Sequence, residues 1–232
     1  MNIQIFNTED GSHSLFRNDL NEGYHSRYGA ITESMHVFIE AGFKQVSNKC
    51  KEINVLEIGF GTGLNAFLTC LISSETGKKV NYFGIEPFPI QSEIYSKLNY
   101  PELLGNAESR RLFLLLHSTE WGKCVKINEH FKLKKIKKRF EGVDLKQAFF
   151  NLIYFDAFAA DIQPELWRKN IFNKIYNTLR DQGIFVTYSA KGSVKRNLQD
   201  AGFYVEKIPG PKGKREMIRA VKKLQGFKLR TQ

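Results

Sequence analysis

The feature that most constrains the fold is a run of alternating glycines between an apolar segment and a segment of helical periodicity. Residues 53–58 (INVLEI) predict a strand, residues 64–73 (LNAFLTCLIS) predict a helix, and the loop that joins them reads Glu57-Ile58-Gly59-Phe60-Gly61-Thr62-Gly63. Glycine lets a backbone turn sharply and approach a ligand closely. A strand, a glycine-rich turn and a helix in this order predict the first unit of a doubly wound α/β fold.

Short apolar runs and helical segments keep alternating beyond this loop, which predicts a mostly parallel sheet covered by helices. The further predicted elements are strands at 80–86, 130–140, 151–156 and 184–190, helical structure at 100–128, and a helix at 164–179. Two last strands, 203–208 and 215–221, are separated by only a short PGPKGK connection and must therefore pair antiparallel. We expect a single domain over residues 1–232, with an irregular N-terminal extension at 1–50.

The charge balance favours a polyanionic partner. Lysine and arginine number 35 against 24 acidic residues, a formal net charge of +11. Nucleic acid is one such partner. A lysine-rich composition without a special partner explains the same balance equally well, so charge only supports other observations.

The cysteines and the N-terminus indicate a reducing compartment. Cys50, Cys70 and Cys124 are widely spaced and odd in number, with no clustered histidines to complete a metal site. No basic segment leads into an apolar one at the start, and no run approaches the roughly 18 apolar residues of a membrane span. We expect a cytoplasmic protein without a bound metal or a membrane association, and we favour a monomer.

The glycine loop indicates which cofactor binds. A dinucleotide fingerprint, G-x-G-x-x-G, would need glycine where Leu64 stands, so NAD fits less well. The pattern E-x-G-x-G-x-G instead resembles the first motif of class I S-adenosylmethionine methyltransferases. Glu57 would orient the loop or the amino group of the ligand, and Glu86 would bind the ribose hydroxyls. The predicted cofactor-binding residues are Glu57, Gly59, Phe60, Gly61, Thr62, Gly63, Asn65 and Glu86, with Glu141 or Asp144 as the adenine contact.

Asp156 is the predicted catalytic residue. It ends the strand at 151–156, and the carboxyl ends of neighbouring strands share one crevice at the point where strand order reverses. Asp156 would accept a hydrogen bond from an acceptor amine and orient its lone pair, or it would cap the segment that follows. Phe158, in that segment, would stack on a nucleobase.

Several longer segments are far more specific than the glycine loop. They are DGSHSLF (10–16), HVFIEAGF (36–43), IYFDAFAADIQPELW (153–167), TYSAKGSVKRNLQDAGF (187–203) and PGPKGKREMIRA (209–220). Together they resemble the family of MnmC amino-terminal domains and stand-alone MnmD proteins over nearly the whole chain. Asp156 matches the aspartate of the family's D-[AG]-F-[AS]-P segment, and Ala160 stands where the family usually has proline.

The resemblance implies a tRNA substrate. The expected reaction is methylation of 5-aminomethyl-(2-thio)uridine at wobble position 34, which gives 5-methylaminomethyl-(2-thio)uridine. The partner would be the anticodon region of tRNA, and the cofactor S-adenosylmethionine. Bifunctional members carry a second, flavin-dependent domain, for which 232 residues leave no room, and we therefore expect a one-step enzyme.

Further residues are candidates for contacts with the substrate. Tyr188, Ser189 and Lys191 follow the strand at 184–190, and Lys214 and Arg215 belong to the family's K-R-E-M motif. A solvated turn, or an ion pair between Arg215 and Glu216, explains that motif as well. The basic run at 132–139 would track RNA phosphates or simply be a solvated strand edge.

Two other functions fit the same sequence. A methyl- or aminopropyl-transferase acting on a small-molecule amine would share the cofactor fold without needing RNA. A non-catalytic RNA-binding relative would have kept the pocket without its chemistry. Salt-sensitive tRNA binding separates the first alternative from the tRNA enzyme, and the affinity for the cofactor tests the second.

Overall fold

The elements of the fold follow the predicted alternation of strands and helices. The computed structural model describes residues 2–105 and 107–224. In this part of the chain the strands are β1 Ile3–Asn7, β2 His13–Arg17, β3 Glu22–Gly23, β4 Glu52–Ile58, β5 Lys79–Ile85, β6 Cys124–Lys126, β7 Phe131–Ile136, β8 Phe150–Phe155, β9 Leu179–Thr187, β10 Phe203–Pro209 and β11 Glu216–Lys222. The α-helices are α1 Ala30–Ser34, α2 Lys44–Ser47, α3 Leu64–Thr76, α4 Ser92–Tyr95, α5 Tyr100–Leu104, α6 Ala107–Ser118, α7 Lys169–Thr178 and α8 Gly192–Asp200.

The main sheet has eight strands in the order β10-β11-β9-β8-β4-β5-β7-β6. The pairs β4–β5, β4–β8, β5–β7 and β8–β9 are parallel, whereas β10–β11, β11–β9 and β6–β7 are antiparallel. Strand order reverses at β4, which lies between β5 and β8 and is the first strand of the sheet along the chain. The doubly wound, mostly parallel sheet with a C-terminal antiparallel hairpin is therefore confirmed.

The sheet is buried on both faces, as continuous apolar strands require. One face packs against α3, α6 and the N-terminal helices, with Phe38, Phe67 and Tyr82 among its largest buried side chains. The other face packs against α7 and α8, around Phe155 and Phe172. The described helices include none that is long and apolar enough to cross a bilayer.

The N-terminal segment differs from the irregular extension that we expected. Strands β1, β2 and β3 form a separate antiparallel sheet. After it, α1 continues into a π-helical segment, Met35–Phe43, which leads directly into α2. Gly42 lies in this segment, where an added Cβ would lie 3.1 to 3.3 Å from Val186, Leu152 and Tyr154. This close approach to the sheet accounts for a glycine inside a helix.

Several predicted elements have different boundaries in the structure. The strands expected at 130–140 and 184–190 are β7 Phe131–Ile136 and β9 Leu179–Thr187, and two helices differ more strongly. The helix expected at 164–179 is divided into a 3₁₀ turn, Pro164–Trp167, and α7, because Arg168 between them is extended (φ −80°, ψ 155°). The helical structure expected at 100–128 ends at Ser118 and is followed by the edge strand β6. In both places the helical periodicity of the sequence continues across a break in the helix.

Candidate functional site

Three strand ends meet at one edge of the sheet. Ile58 of β4 pairs with Phe155 of β8 on one side and Ile85 of β5 on the other. The next residues, Gly59, Asp156 and Glu86, therefore lie side by side, and the Asp156 amide donates to the Ile58 carbonyl at 2.9 Å. All three line a cleft of about 630 Å³ at the point where strand order reverses. Ligands bind to open α/β sheets at this position.

The glycines of the loop all adopt positive φ angles: 93° at Gly59, 48° at Gly61 and 72° at Gly63. An added Cβ at Gly59 would also lie only 2.3 Å from the Asp156 carbonyl oxygen, which is shorter than a van der Waals contact. Position 59 therefore requires glycine for two reasons: the backbone has a positive φ angle, and the loop packs closely against the end of β8.

A histidine that the sequence did not single out supports the loop from behind. His117 of α6 is buried, and its Nε2 lies 3.0 Å from the Thr62 carbonyl oxygen. Its ring stacks on Tyr95 at a centroid distance of 4.3 Å, and it would lie 2.7 Å from a Cβ at Gly63. Burial lowers the pKa of His117 to about 3, so the ring is neutral at physiological pH. His117 therefore supports the loop and lies outside the cleft wall.

Asn65 links the two carboxylates that flank the loop. Its Nδ2 donates to Glu57 Oε1 at 2.9 Å and to Asp156 Oδ2 at 2.8 Å. Its own Oδ1 is buried and has no hydrogen-bond partner among the described residues. Glu57 is fully buried behind the loop, and burial, followed by the charge of Asp156, raises the pKa of Glu57 well above its usual range. Of the two roles predicted for Glu57, this position favours orienting the loop.

Burial has a similar effect on Asp156. It raises the pKa of Asp156 to about 7, the charge of Glu33 adds to the rise, and the Asn65 hydrogen bond and the charge of Lys214 oppose it. A carboxyl group with a pKa near neutrality can exchange a proton under physiological conditions. Among groups in clefts, such a shift is typical of functional residues.

Glu86 fixes the opposite side of the loop. Its Oε2 accepts a hydrogen bond from the Gly61 amide at 3.1 Å, and its Oε1 accepts one from the Phe88 amide at 2.9 Å. Burial raises the pKa of Glu86, while these two amides lower it. Glu86 lines the cleft, so its carboxylate both shapes the loop and faces a ligand there.

The segment after Asp156 is held by side-chain hydrogen bonds. The Phe158 amide donates to Gln163 Oε1 at 3.0 Å, and Trp167 Nε1 donates to the Phe158 carbonyl at 2.8 Å. These bonds hold the backbone of Phe158 from both sides although Ala160 replaces the proline of the related pattern. The Phe158 ring lines the cleft and meets the edge of Tyr24 at a centroid distance of 5.1 Å.

The N-terminal segment forms the wall of the cleft that sequence reasoning missed. Tyr24, His25 and Glu33 line it, together with residues of β2 and the β2–β3 turn. His25 Nδ1 lies 3.0 Å from Ser14 Oγ, and burial lowers its pKa to about 4, so the ring is neutral at physiological pH. The only sequence signal was the aromatic and histidine-rich composition of residues 23–42.

Lys214 reaches into the cleft from the turn between β10 and β11. Its Nζ lies 2.7 Å from Glu33 Oε1 and 4.0 Å from the centroid of the Tyr188 ring. The Tyr188 hydroxyl donates to the Ala157 carbonyl at 2.9 Å, which holds the ring next to the end of β8. The turn and the N-terminal helix α1 thus meet in the cleft that Asp156 lines.

The structure brings most, but not all, of the predicted site residues to the cleft. Glu141 lines it and the exposed Asp144 does not, which separates the two candidates for the adenine contact. Glu57 and Gly63 lie behind the loop. Like these two, four further predicted residues, Asp144, Ser189, Lys191 and Arg215, are not part of the cleft wall.

Local contacts explain these placements on the substrate side. Ser189 is buried, and Lys191 is directed outward by an ion pair with Asp161 (2.5 Å). Glu216 forms an ion pair with Lys207 at 2.6 Å, and the charge of Arg215 has a smaller effect on the Glu216 pKa than the contact with Lys207. Arg215 is exposed on the turn that carries Lys214.

The basic run at 132–139 is not one continuous surface. Lys135 is buried; its Nζ donates to the His117 carbonyl and lies 4.7 Å from the Trp121 ring centroid. Burial lowers the pKa of Lys135 to about 8. Lys132, Lys137 and Lys138 are exposed. The described residues contain no group of three potential metal ligands.

Comparisons with known proteins agree with this geometry. A family model described as S-adenosyl-L-methionine-dependent methyltransferase matches residues 118–223. The bifunctional protein MnmC of tRNA 5-methylaminomethyl-2-thiouridine biosynthesis from Campylobacter hominis is 32% identical over 210 residues, which cover 89% of this chain and 31% of that protein. The protein of the same name from Leptospira borgpetersenii is 28% identical, over 84% of this chain and 31% of its own length.

A solved structure shows the same similarity in three dimensions. The crystal structure of MNMC2 from Aquifex aeolicus superimposes with a TM-score of 0.75 at 27% identity, covering 94% of this chain and 69% of that one. This chain spans about a third of the length of the curated relatives that it matches. The family model, the relatives and the solved structure together support an MnmC/MnmD-like S-adenosyl-L-methionine-dependent methyltransferase domain.

Proposed function

We propose that this protein methylates the amine of 5-aminomethyl-(2-thio)uridine at wobble position 34 of tRNA. The observation that carries the proposal is the common cleft of the glycine loop and Asp156, with the Phe158 and Tyr24 rings beside them. A cofactor site, a carboxyl group and an aromatic wall within one cleft suit transfer to an amine on a base. The names of the relatives, which refer to biosynthesis of 5-methylaminomethyl-2-thiouridine in tRNA, support this substrate.

The residues of the loop fit S-adenosylmethionine. The buried Oδ1 of Asn65 lacks a partner, and a ligand amino group would supply one. Glu86 presents a carboxylate suited to ribose hydroxyls, and Gly59, Phe60, Gly61 and Thr62 line the space between Glu86 and Asp156. We propose that these residues hold the cofactor, with Glu57 and Gly63 shaping the loop and Glu141 next to the adenine.

Asp156 has a defined task in this reaction. S-adenosylmethionine, when bound, supplies an electrophilic methyl group on a positively charged sulfonium. An alkylamine attacks only when it has lost its proton, and Asp156 is the group in the cleft whose raised pKa suits it to accept that proton. Asn65 holds the Asp156 carboxylate in place through Oδ2, which leaves Oδ1 to accept a hydrogen bond from the amine.

The remaining predicted contacts concern the RNA. We propose that Phe158 stacks on the wobble base, with Tyr24 and Tyr188 shielding it from water. The exposed Arg215 on the β10–β11 turn and Lys191 after β9 would contact RNA outside the cleft, and Lys214 would contact it at the cleft itself. We also propose that residues 1–232 act as a single domain in the cytoplasm, where tRNA is found.

The proposed function predicts a specific change in cellular tRNA. Deleting the gene should lead to accumulation of the 5-aminomethyl nucleoside and loss of its methylated product, because the enzyme that methylates the amine is then absent. Nucleoside mass spectrometry of bulk tRNA measures both. An unchanged profile would refute the assignment. Methylation of free small amines, with tRNA binding insensitive to salt, would favour the small-molecule transferase instead.

We further predict that activity rises with pH as Asp156 ionises. Since burial raises its pKa from 3.8 to about 7, kcat/KM should increase up to about pH 7 and then level off. The sign for stability is opposite: the folded protein binds the extra proton, so the contribution of Asp156 to stability declines between about pH 4 and 7. Glu33→Gln removes a charge that raises this pKa and should move the acid limb to lower pH. If the acid limb of the kcat/KM profile has the same position in Glu33→Gln, the group that titrates in this limb is not Asp156.

A further inference from the structure

The interaction of Lys214 with Glu33 and Tyr188 places a primary ammonium group inside the cleft. Lys214 Nζ lies 2.7 Å from Glu33 Oε1 and 4.0 Å from the Tyr188 ring centroid. A carboxylate and an aromatic face are the two groups that bind organic cations best in proteins. This pair therefore constitutes a cation subsite, occupied here by a side chain of the protein itself.

Hydrogen bonds hold the two groups of the subsite, whereas its occupant is a long side chain from an exposed turn. Glu33 is 7% exposed, and its Oε2 accepts a hydrogen bond from the Ser26 amide at 2.7 Å. The Tyr188 hydroxyl is fixed on the Ala157 carbonyl. Lys214 instead approaches on a flexible four-carbon stem from an exposed turn, and its side chain keeps 36% exposure. Neither of the hydrogen bonds that hold Glu33 and Tyr188 involves Lys214.

The subsite adjoins Asp156. Glu33, Tyr188, Lys214 and Asp156 line one cleft, and the charges of Glu33 and Lys214 act on the Asp156 carboxyl with opposite signs. The proposed acceptor carries the same chemical group as a lysine, an ammonium on a methylene carbon. An acceptor whose ammonium replaced that of Lys214 would hold its nitrogen in the same cleft as the group that takes its proton.

Building on the proposed function, we propose that Glu33 and the face of the Tyr188 ring bind the positively charged aminomethyl group of the acceptor. Lys214 fills this subsite in the free protein and exchanges with the acceptor when RNA binds. Its ammonium then becomes available to an RNA phosphate, so one ion pair is replaced by another of the same kind. Glu33 is thus a specificity-determining residue, since a uridine without the amine would leave its carboxylate paired with Lys214.

The test compares the affinities of two tRNAs that differ only at position 34. One carries 5-aminomethyl-2-thiouridine and the other 2-thiouridine, and both dissociation constants are measured with S-adenosylhomocysteine present to prevent turnover. For the natural protein we expect binding of the aminomethyl form to be stronger by about tenfold or more. In Glu33→Gln this ratio should fall towards one, with the affinity for the 2-thiouridine form nearly unchanged.

Two further variants make the result specific. Glu9→Gln disrupts a neighbouring ion pair on the same turn, Lys212–Glu9 at 2.8 Å, outside the cleft wall, and should keep the natural ratio. Lys214→Met removes the internal competitor and also the phosphate contact that the displaced lysine would make with the aminomethyl tRNA. Because these two effects oppose each other, the ratio should stay near its natural value. Thermal unfolding and S-adenosylmethionine binding check the fold of each variant, and Glu33→Asp, with its shorter carboxylate, should give an intermediate ratio.

The outcomes separate this inference from the function on which it rests. A Glu33→Gln protein that keeps the natural ratio, or that loses affinity equally for both tRNAs, overturns the role of Glu33. If the ratio of the two affinities falls to about one in Lys214→Met, the proposed exchange is overturned, because Lys214 itself would then recognise the acceptor. Absence of methylation of the aminomethyl tRNA by the natural protein would instead refute the proposed function.

Discussion

Replacing Asp156 with asparagine is expected to reduce kcat by about 10²- to 10⁴-fold, the usual contribution of a positioned general base. Asparagine has nearly the same volume, and its Oδ1 can still accept the bond that Asn65 Nδ2 donates to Asp156 at 2.8 Å. The substitution removes the group that takes a proton from the amine and places an amide NH2 donor where the amine needs an acceptor. The affinity for S-adenosylmethionine, measured by calorimetry, should therefore stay within a few-fold of the natural value.

A matched control for this substitution lies in the same loop. Asp161→Asn removes an exposed carboxylate that pairs with Lys191 at 2.5 Å outside the cleft wall, and we expect kcat close to the natural value. If Asp156→Asn lost cofactor binding and turnover in parallel, the carboxylate would instead be a structural part of the loop. Single-turnover measurements distinguish the two cases because they report the methyl transfer step directly.

The second large effect is expected at Gly59. A Cβ there would lie 2.3 Å from the Asp156 carbonyl oxygen, on a backbone with φ 93°. In Gly59→Ala the loop must therefore move away from β8, with strain from both the clash and the dihedral angle. We expect an increase of about 10- to 100-fold in the dissociation constant of S-adenosylmethionine, corresponding to about 1 to 3 kcal/mol.

Gly122 provides the control for the dihedral angle alone. Its φ of 88° nearly equals that of Gly59, but an added Cβ would have no neighbour within 4 Å. Gly122→Ala should consequently lower the free energy of unfolding by about 1 to 2 kcal/mol and leave cofactor affinity unchanged. Equal cofactor affinities in the two variants would show that close packing of the glycine loop against β8 has no part in binding.

Local patterns were sufficient to predict the parallel sheet and the cofactor side of the cleft. Gly59, Glu86 and Asp156 each follow a buried strand directly, so a sequence that predicts the strands also places these residues at their carboxyl ends. Periodicity did not reveal the extended Arg168 inside a predicted helix, nor the regular structure before α1. These features depend on contacts with other parts of the chain, which a pattern over neighbouring residues does not contain.

The sequence by itself therefore determined the fold class, the glycine loop and the position of Asp156. The tertiary structure alone decided what faces them: Tyr24, His25 and Glu33 from the N-terminal segment, and Glu141 in preference to Asp144. The ion pair between Lys214 and Glu33 joins residues 181 positions apart. Strand ends follow from short-range periodicity, but the opposite wall of a cleft is assembled from distant segments, and only the packing of the whole chain brings those segments together.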